Sequence, residues 1–392
     1  MANDNKKYIP ALRFPEFQND GEWSMLELGK FAKIVMGQSP SSEAYNERGE
    51  GVPLLQGNAD IKDRHQVVRV YTTDITKTCD INDIIMTVRA PVGTISRATF
   101  KSCIGRGVCA IKTDSEYLYQ YLISIEQEWD KLASGSTFVS ITSNQIFDRI
   151  IFVPLTIQEQ KKIADCLSSL DKYIDAIKRK LELLKEHKKG LMQKLFPAKD
   201  KTTPELRFSE FKNDGEWVEK KVRNIFDQIT RGCVLPVSET RQSPDDTYKY
   251  PVYSSQTANN GLMGYYNKFL YKNAITWTTD GANAGTVMLR RGEFFCTNVC
   301  GVLISHRGYA NGCISEIIAT HAKEHVSYVG NPKLMNNVMG EIEICIPPTI
   351  DEQIKIADCL YKVDQIISSH EKKIKSLELH KRGLIQQLFP KL

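Results

Sequence analysis

The stretch His321-Ala-Lys-Glu324-His325 matches a catalytic spacing, with two imidazoles four residues apart and a carboxylate between them. On a helix that spacing puts both histidines on one face. This is the inverted zincin arrangement, and its chemistry would be zinc-assisted hydrolysis with a third ligand from elsewhere. Residues this common reach the pattern by chance, and the stretch runs at once into VSYVGNP. The histidines are therefore read as surface or core residues, and no metal is expected. Other catalytic spacings are missing. There is no G-x-x-x-x-G-K-[ST] phosphate loop, no G-x-G-x-x-G opening a helix and no G-x-S-x-G elbow. The Asn/Asp-Pro-Pro-aromatic run of amino-methyltransferases is absent too, and Pro347-Pro348 reads as the lead-in to a helix cap at Thr349. The ten cysteines form no C-x-x-C pair. Cys166, Cys296, Cys300 and Cys359 are read as small, reduced core residues.

Chemistry this sparse directs attention to the elements. At 392 residues the chain exceeds one ordinary domain. It is 41% hydrophobic and 25% charged, as in a globular protein. No apolar run approaches the roughly 18 residues of a membrane helix, and the first residues show no secretory signal, so a cytoplasmic location is expected. Lys and Arg outnumber Asp and Glu by 52 to 47, a net charge of +5. That balance permits a nucleic-acid partner without requiring one.

The chain repeats itself. PALRFPEFQNDGEW (10–23) returns as PELRFSEFKNDGEW (204–217), and VPLTIQEQKKIADCLSSLDKYI (153–174) returns as IPPTIDEQIKIADCLYKVDQII (346–367). HKKGLMQKLFP (187–197) returns as HKRGLIQQLFP (380–390). A period near 193 residues is too long for a solenoid, so this is one half duplicated, with the halves related by a pseudo-two-fold axis. Each half ends in a long helix. Thr156 with Glu159, and Thr349 with Glu352, have capping-box spacing, while Pro197 and Pro390 stop the far ends. Apolar residues recur at alternating steps of three and four: Ile163, Leu167, Leu170, Ile174, Ile177, Leu181 and Leu184 in the first helix. Ile356, Leu360, Val363, Ile367, Ile374 and Leu377 repeat them in the second, with His370 as an exception. A heptad seam held this long predicts a coiled coil, with Lys188 and Lys381 as equivalent polar register positions. The alternative is a pair of amphipathic helices packed on separate cores.

The middles, 24–152 and 218–345, carry short β-rich runs (83–88, 274–278, 302–305) broken by Gly, Pro and Asn turns. A shared frame survives their divergence. VPLLQGN (52–58) lies opposite YPVYSSQ (250–256), and TVRAPVGTI (87–95) lies opposite TDGANAGTV (279–287), so Thr87-Val-Arg89 faces Thr279-Asp-Gly281. The fold class expected is α+β, with two mixed α/β recognition domains alternating with two long helices. The boundaries are 1–153, 154–197, 198–346 and 347–392.

This order resembles the specificity (S) subunit of type I DNA restriction–modification enzymes, over essentially the whole chain. The resemblance rests on PLTIQEQKKIADCLSSLD and PPTIDEQIKIADCLYKVD, each leading to a Leu-Phe-Pro exit, and on GQSPSS (37–42), SGSTFVSITSNQI (134–146) and YPVYSSQTANNGLMGYY (250–266). It implies that each middle is a target-recognition domain reading one half of a bipartite, asymmetric site on double-stranded DNA. The helices would pack antiparallel and set the gap. Two methyltransferase (M) subunits carrying S-adenosylmethionine, and restriction (R) subunits using ATP and Mg, are the implied partners. The chain itself would be no enzyme and hold no cofactor. A helical seam of about 30 residues is about 45 Å long, enough to hold two modules one DNA turn, roughly 34 Å, apart. A stand-alone DNA-binding or scaffold protein is the alternative function.

Arg favours guanine, and Asn or Gln favours adenine, in bidentate geometry. On that chemistry, and where the two frames diverge, the DNA-binding candidates of the first middle are Gln38, Ser39, Gln56, Asn58, Arg89, Arg106 and Ser136. Those of the second are Ser254, Ser255, Gln256, Asn259, Asn260, Asp280, Asn283 and Asn298. Each could equally be a turn or a capped loop end. The basic tracts at 178–180, 187–190 and 380–383 suit phosphate, a partner subunit or simply solvent.

Overall fold

The computed structural model describes residues 8–133, 140–256 and 258–390. The chain divides into two compact units, Met1–Lys178 with Lys372–Leu392, and Arg179–Glu371. In the first, strand β1 (Ser24–Glu27) pairs with a later strand, and β2 (Lys33–Met36), β3 (Val52–Leu55), β4 (Val70–Thr72), β5 (Ile84–Thr87), β6 (Ile95–Arg97), β7 (Ser102–Ile104) and β8 (Val108–Lys112) follow. Helix α1 (Glu116–Ser124), β9 (Ile150–Val153) and the long α2 (Ile157–Leu195) complete the first half of the sequence. The second half supplies β10 (Val218–Lys221), β11 (Gln228–Arg231), β12 (Tyr250–Tyr253), β13 (Leu262–Tyr266), β14 (Tyr271–Thr278), β15 (Val287–Cys296) and β16 (Cys300–Ile304). Helix α3 (Gly312–Ala322), β17 (Glu343–Ile346) and the long α4 (Ile350–Leu388) end it.

The same topology is written twice. The order β2–β8–β5–β6, antiparallel throughout, reappears as β11–β16–β14–β15. β1 pairs with β9, as β10 does with β17. Strand β3 runs parallel to β7 (Leu54 opposite Cys103), and β12 runs parallel to the far end of β15 (Val252 opposite Phe295). The ten-residue β15 thus covers both roles that the first unit divides between β6 and β7, so one six-stranded sheet stands where the first unit has two sheets. Of the β-rich runs expected from sequence, 274–278 falls within β14, while 83–88 and 302–305 overlap β5 and β16 and overrun them by a residue at one or both ends. Helices α1 and α3 both start on a side-chain cap, Ser115 accepting from Leu118 N and Asn311 from Ile314 N.

Each unit has its own apolar core, one around Trp23, Tyr117, Tyr121, Trp129 and Phe152, the other around Trp217, Trp277, Ile314 and Ile344. The starts of the long helices are part of these cores: Ile163 and Leu167 in the first, Ile356 and Leu360 in the second. Ile174, Leu181 and Ile374 are buried, and Leu170, Leu184, Val363, Ile367 and Leu377 half-buried, so the whole apolar stripe is shielded. Within the first unit Asp171 pairs with Lys381 at 2.5 Å and Lys178 with Glu378 at 2.7 Å. Within the second Asp364 pairs with Lys188 at 2.8 Å and Glu371 with Lys185 at 3.4 Å. Numbers rise on one helix as they fall on the other, so the paired segments run antiparallel in both units.

The expected capping boxes are half made. Thr156 Oγ1 accepts from Glu159 N, and Thr349 Oγ1 from Glu352 N, each at 3.3 Å. The glutamates do not reach back. Both oxygens of Glu159 accept from Arg13 at 2.7 Å, and those of Glu352 from Arg207 at 2.7 Å. Trp23 Nε1 and Trp217 Nε1 each add a bond at 3.3 Å. A buried bidentate guanidinium satisfies a carboxylate better than one backbone amide does, and in both halves the repeated lead-in segment carries it.

Candidate nucleic-acid interface

Four backbone hydrogen bonds gather one end of the first unit's strands. Gly37 N donates to Val108 O (3.0 Å), Gln38 N to Ile104 O (2.8 Å), Gly105 N to Leu55 O (2.7 Å) and Val88 N to Gly107 O (2.9 Å). They tie the exits of β2, β3 and β5 to the β7–β8 turn. The approach at Gly107 is close enough that a Cβ there would lie 1.9 Å from Gln56 O. Gln38, Gln56, Arg89 and Arg106 are consequently brought together and exposed, with Ser39 half-buried among them. Ser39 Oγ accepts from Arg106 N (3.2 Å) and Nε (3.3 Å), which orients that guanidinium. Asn58 stands in the short turn Asn58–Asp60, whose Asp60 carboxylate accepts from Gln56 N at 2.7 Å. Ser136 lies outside the described residues.

The same four bonds recur in the second unit: Gly232 N to Cys300 O (3.0 Å), Cys233 N to Cys296 O (3.1 Å), Thr297 N to Tyr253 O (2.9 Å) and Thr279 N to Val299 O (2.9 Å). Position by position, Gln38 corresponds to Cys233, Gln56 to Ser254, Arg106 to Asn298 and Arg89 to Asp280. One expectation is corrected here. Thr87-Val-Arg89 faces Thr278-Thr279-Asp280, not Thr279-Asp-Gly281. Gly93 N returns to Thr87 O and Gly285 N to Thr278 O, so the second loop holds one more residue.

Several second-unit candidates are occupied in holding their own loops. Asn283 Nδ2 donates to Ser255 O at 2.9 Å, Gln256 Nε2 donates to Leu262 O, and Ser254 Oγ lies 3.0 Å from Thr297 Oγ1. Asn259 and Asn260 take left-handed backbone (φ 50° and 54°), which asparagine tolerates better than most residues, and both side chains are exposed. Asp280 Oδ2 accepts from Thr279 Oγ1 at 2.5 Å and faces Arg231 at 3.5 Å. Sequence reasoning missed three residues at this end: Cys233, Arg231 and Arg290. The buried Arg290 donates to Asn260 O (2.7 Å) and Thr276 Oγ1 (3.0 Å) and stacks on Tyr253 at 3.7 Å. Burial lowers its pKa. The signal for Cys233 was the glycine before it, since Gly232 repeats Gly37.

The other motifs supply no chemistry. His321 closes α3 with its Nδ1 2.9 Å from Ile317 O, while Glu324 and His325 are exposed on the following 3₁₀ turn Lys323–His325. Among the described residues no three His, Cys, Asp or Glu side chains are grouped to hold a metal ion. Burial raises the Cys296 thiol far above its ordinary value and Cys300 to about 11, so neither is a ready thiolate. In the basic tracts Lys178, Lys188 and Lys381 are committed to ion pairs. No described helix is long and apolar enough to cross a membrane.

Comparison with known proteins adds a family. The type I restriction modification DNA specificity domain matches this chain twice, at 20–186 and 214–379. A putative type I restriction enzyme specificity subunit of Methanocaldococcus jannaschii is 39% identical over 45% of this chain and 43% of its own length. The MpnII specificity subunit of Mycoplasma pneumoniae is 33% identical over 40% of this chain and 47% of its own. These alignments thus span about half the length of the relatives. The crystal structure of a type I restriction–modification S subunit from M. genitalium shares the fold, with a TM-score of 0.71 at 18% identity, covering 98% of this chain and 99% of that one.

Proposed function

The chain belongs to the type I restriction–modification DNA specificity family, and from that membership we propose that it is the DNA sequence-recognition subunit of such a complex. Each unit reads one half of a bipartite site with the loop end built above. One observation carries this reading: a single backbone frame, fixed by the same four hydrogen bonds, displays Gln, Gln, Arg and Arg in one unit and Cys, Ser, Asn and Asp in the other. Chemistry conserved for catalysis would keep its side chains; paired readers of different bases exchange them.

The long helices act in this proposal as a coiled-coil spacer between half-sites. Catalysis resides in partners: methyltransferase subunits supply S-adenosylmethionine-dependent adenine methylation, and restriction subunits supply ATP- and Mg-dependent cleavage. The complex works in the cytoplasm, where its DNA lies. Methylation-motif sequencing of DNA from cells with and without the chain tests the proposal. The expected result is a two-part motif with a fixed gap, present only with the chain. Unchanged methylation would favour a stand-alone DNA-binding protein instead.

A further inference from the structure

Arg89 and Asp280 occupy the same place on the shared frame, each following the residue (Val88 or Thr279) whose amide is bound to the turn carbonyl of Gly107 or Val299. Their hydrogen-bonding polarity is opposite. The exposed Arg89 offers a planar fork of donors, which fits guanine O6 and N7. Asp280 offers only acceptors. Both of its side-chain contacts, to Thr279 Oγ1 and Arg231, use Oδ2, and the half-buried side chain keeps part of its surface open to solvent. A carboxylate near DNA is repelled by phosphate and by the acceptors of guanine and thymine. In the major groove it is matched by the N4 donor of cytosine, whereas the N6 donor of adenine stands beside the N7 acceptor, which repels it. Arg231 beside it offsets part of that repulsion.

We propose that this position selects a G·C pair in both half-sites but in opposite orientation, guanine before Arg89 and cytosine before Asp280. The inference rests on the proposed function and adds which base chemistry each module takes at one defined place. It also follows only from the corrected register, since Gly281 in Arg89's counterpart position would read nothing.

The test uses the full chain assembled with its methyltransferase subunits and duplexes carrying all four pairs at every position of both half-sites. Asp280→Asn keeps the side-chain shape and offers the donor–acceptor pair that fits adenine; Arg89→Gln offers the same pair on a shorter side chain in the other unit. Each variant is expected to move one position of its own half-site from G·C to A·T, with a change in relative preference of about tenfold or more. Ratios between duplexes are read, so a partly unfolded variant scales all of them and leaves the preference intact. If Asp280→Asn weakens every duplex equally, the carboxylate only holds its loop and the inference fails. It fails also if the wild-type half-sites do not carry opposed G·C pairs at the positions these variants alter. A wild-type complex that methylates without any bipartite preference would instead overturn the proposed function itself.

Discussion

Arg13 and Glu159 lie 146 residues apart and meet through two parallel 2.7 Å hydrogen bonds, with 8% and 1% of their surfaces exposed. Arg207 and Glu352 repeat the contact in the other unit. The hydrogen bonds to Glu159 raise the pKa of Arg13 although burial opposes them, so the guanidinium is charged at every working pH.

Removing one partner leaves an uncompensated buried charge. Arg13→Ala or Glu159→Ala should cost about 3–5 kcal/mol, whereas replacing both with apolar residues of similar volume should cost far less. Denaturant unfolding of the two single variants and the Arg13→Met/Glu159→Leu double variant measures this. A double variant as unstable as the singles would show that the lead-in segment is held by the ion pair's geometry and not by its neutrality.

Lys188 and Lys381 were expected as register devices, and each meets an aspartate that is the other's counterpart: Asp364 and Asp171. Charge reversal at Lys188 alone should destabilise by about 1–2 kcal/mol, and Lys188→Asp with Asp364→Lys should recover part of it. Burial lowers the Lys188 pKa, but the bonds to Asp364 and Glu316 outweigh it and the net shift is upward. The contribution is therefore complete below the ordinary lysine value of about 10.4 and is lost as pH rises through the higher folded value. Above about pH 10.4 the wild type should lose stability more steeply than Lys188→Met; parallel curves would remove the lysine from the account.

Gly190 and Gly383, equivalent residues inside the two long helices, have open space where a Cβ would stand. Glycine in a helix interior costs about 0.8–1.0 kcal/mol relative to alanine. Each Gly→Ala variant should stabilise the chain by about that amount, read by thermal unfolding. If stability rises while assembly with methyltransferase subunits weakens, the bare backbone there is a docking contact.

Much of this was legible because the chain was duplicated: two copies of each lead-in and helix start marked the architecture and the strand frame. The glutamates misled because local spacing describes a capping box equally well and carries nothing about an arginine 146 residues away. The slip at Arg89 arose because a loop absorbs one extra residue between Thr278 and Gly285 without any marker in sequence. Cys233 escaped because it shares with Gln38 only its backbone position. The seam was visible as periodicity, but periodicity alone did not distinguish Ile163 and Leu167, which belong to a unit's core, from residues further along.

The proposed reading ends depend on close backbone approach, and this can be tested separately in each unit. A Cβ at Gly107 would stand 1.9 Å from Gln56 O, and one at Gly232 would stand 2.1 Å from Cys296 O. In both cases the obstacle is backbone, which cannot rotate away, so the strand exits must shift apart at a cost of about 1–3 kcal/mol. Gly107→Ala should displace Gln56 and Arg106 together and blunt discrimination across the first half-site while sparing the second. Gly232→Ala should do the reverse through Cys233 and Asn298. Gly57 is the control: its φ of 172° suits any residue and no atom lies within 4 Å of its would-be Cβ, so Gly57→Ala should leave both half-sites unchanged. The measurement is binding of each assembled variant to duplexes altered in one half-site at a time. Loss in both half-sites from a single glycine variant would mean that the two ends do not read independently, and modular recognition would have to be abandoned.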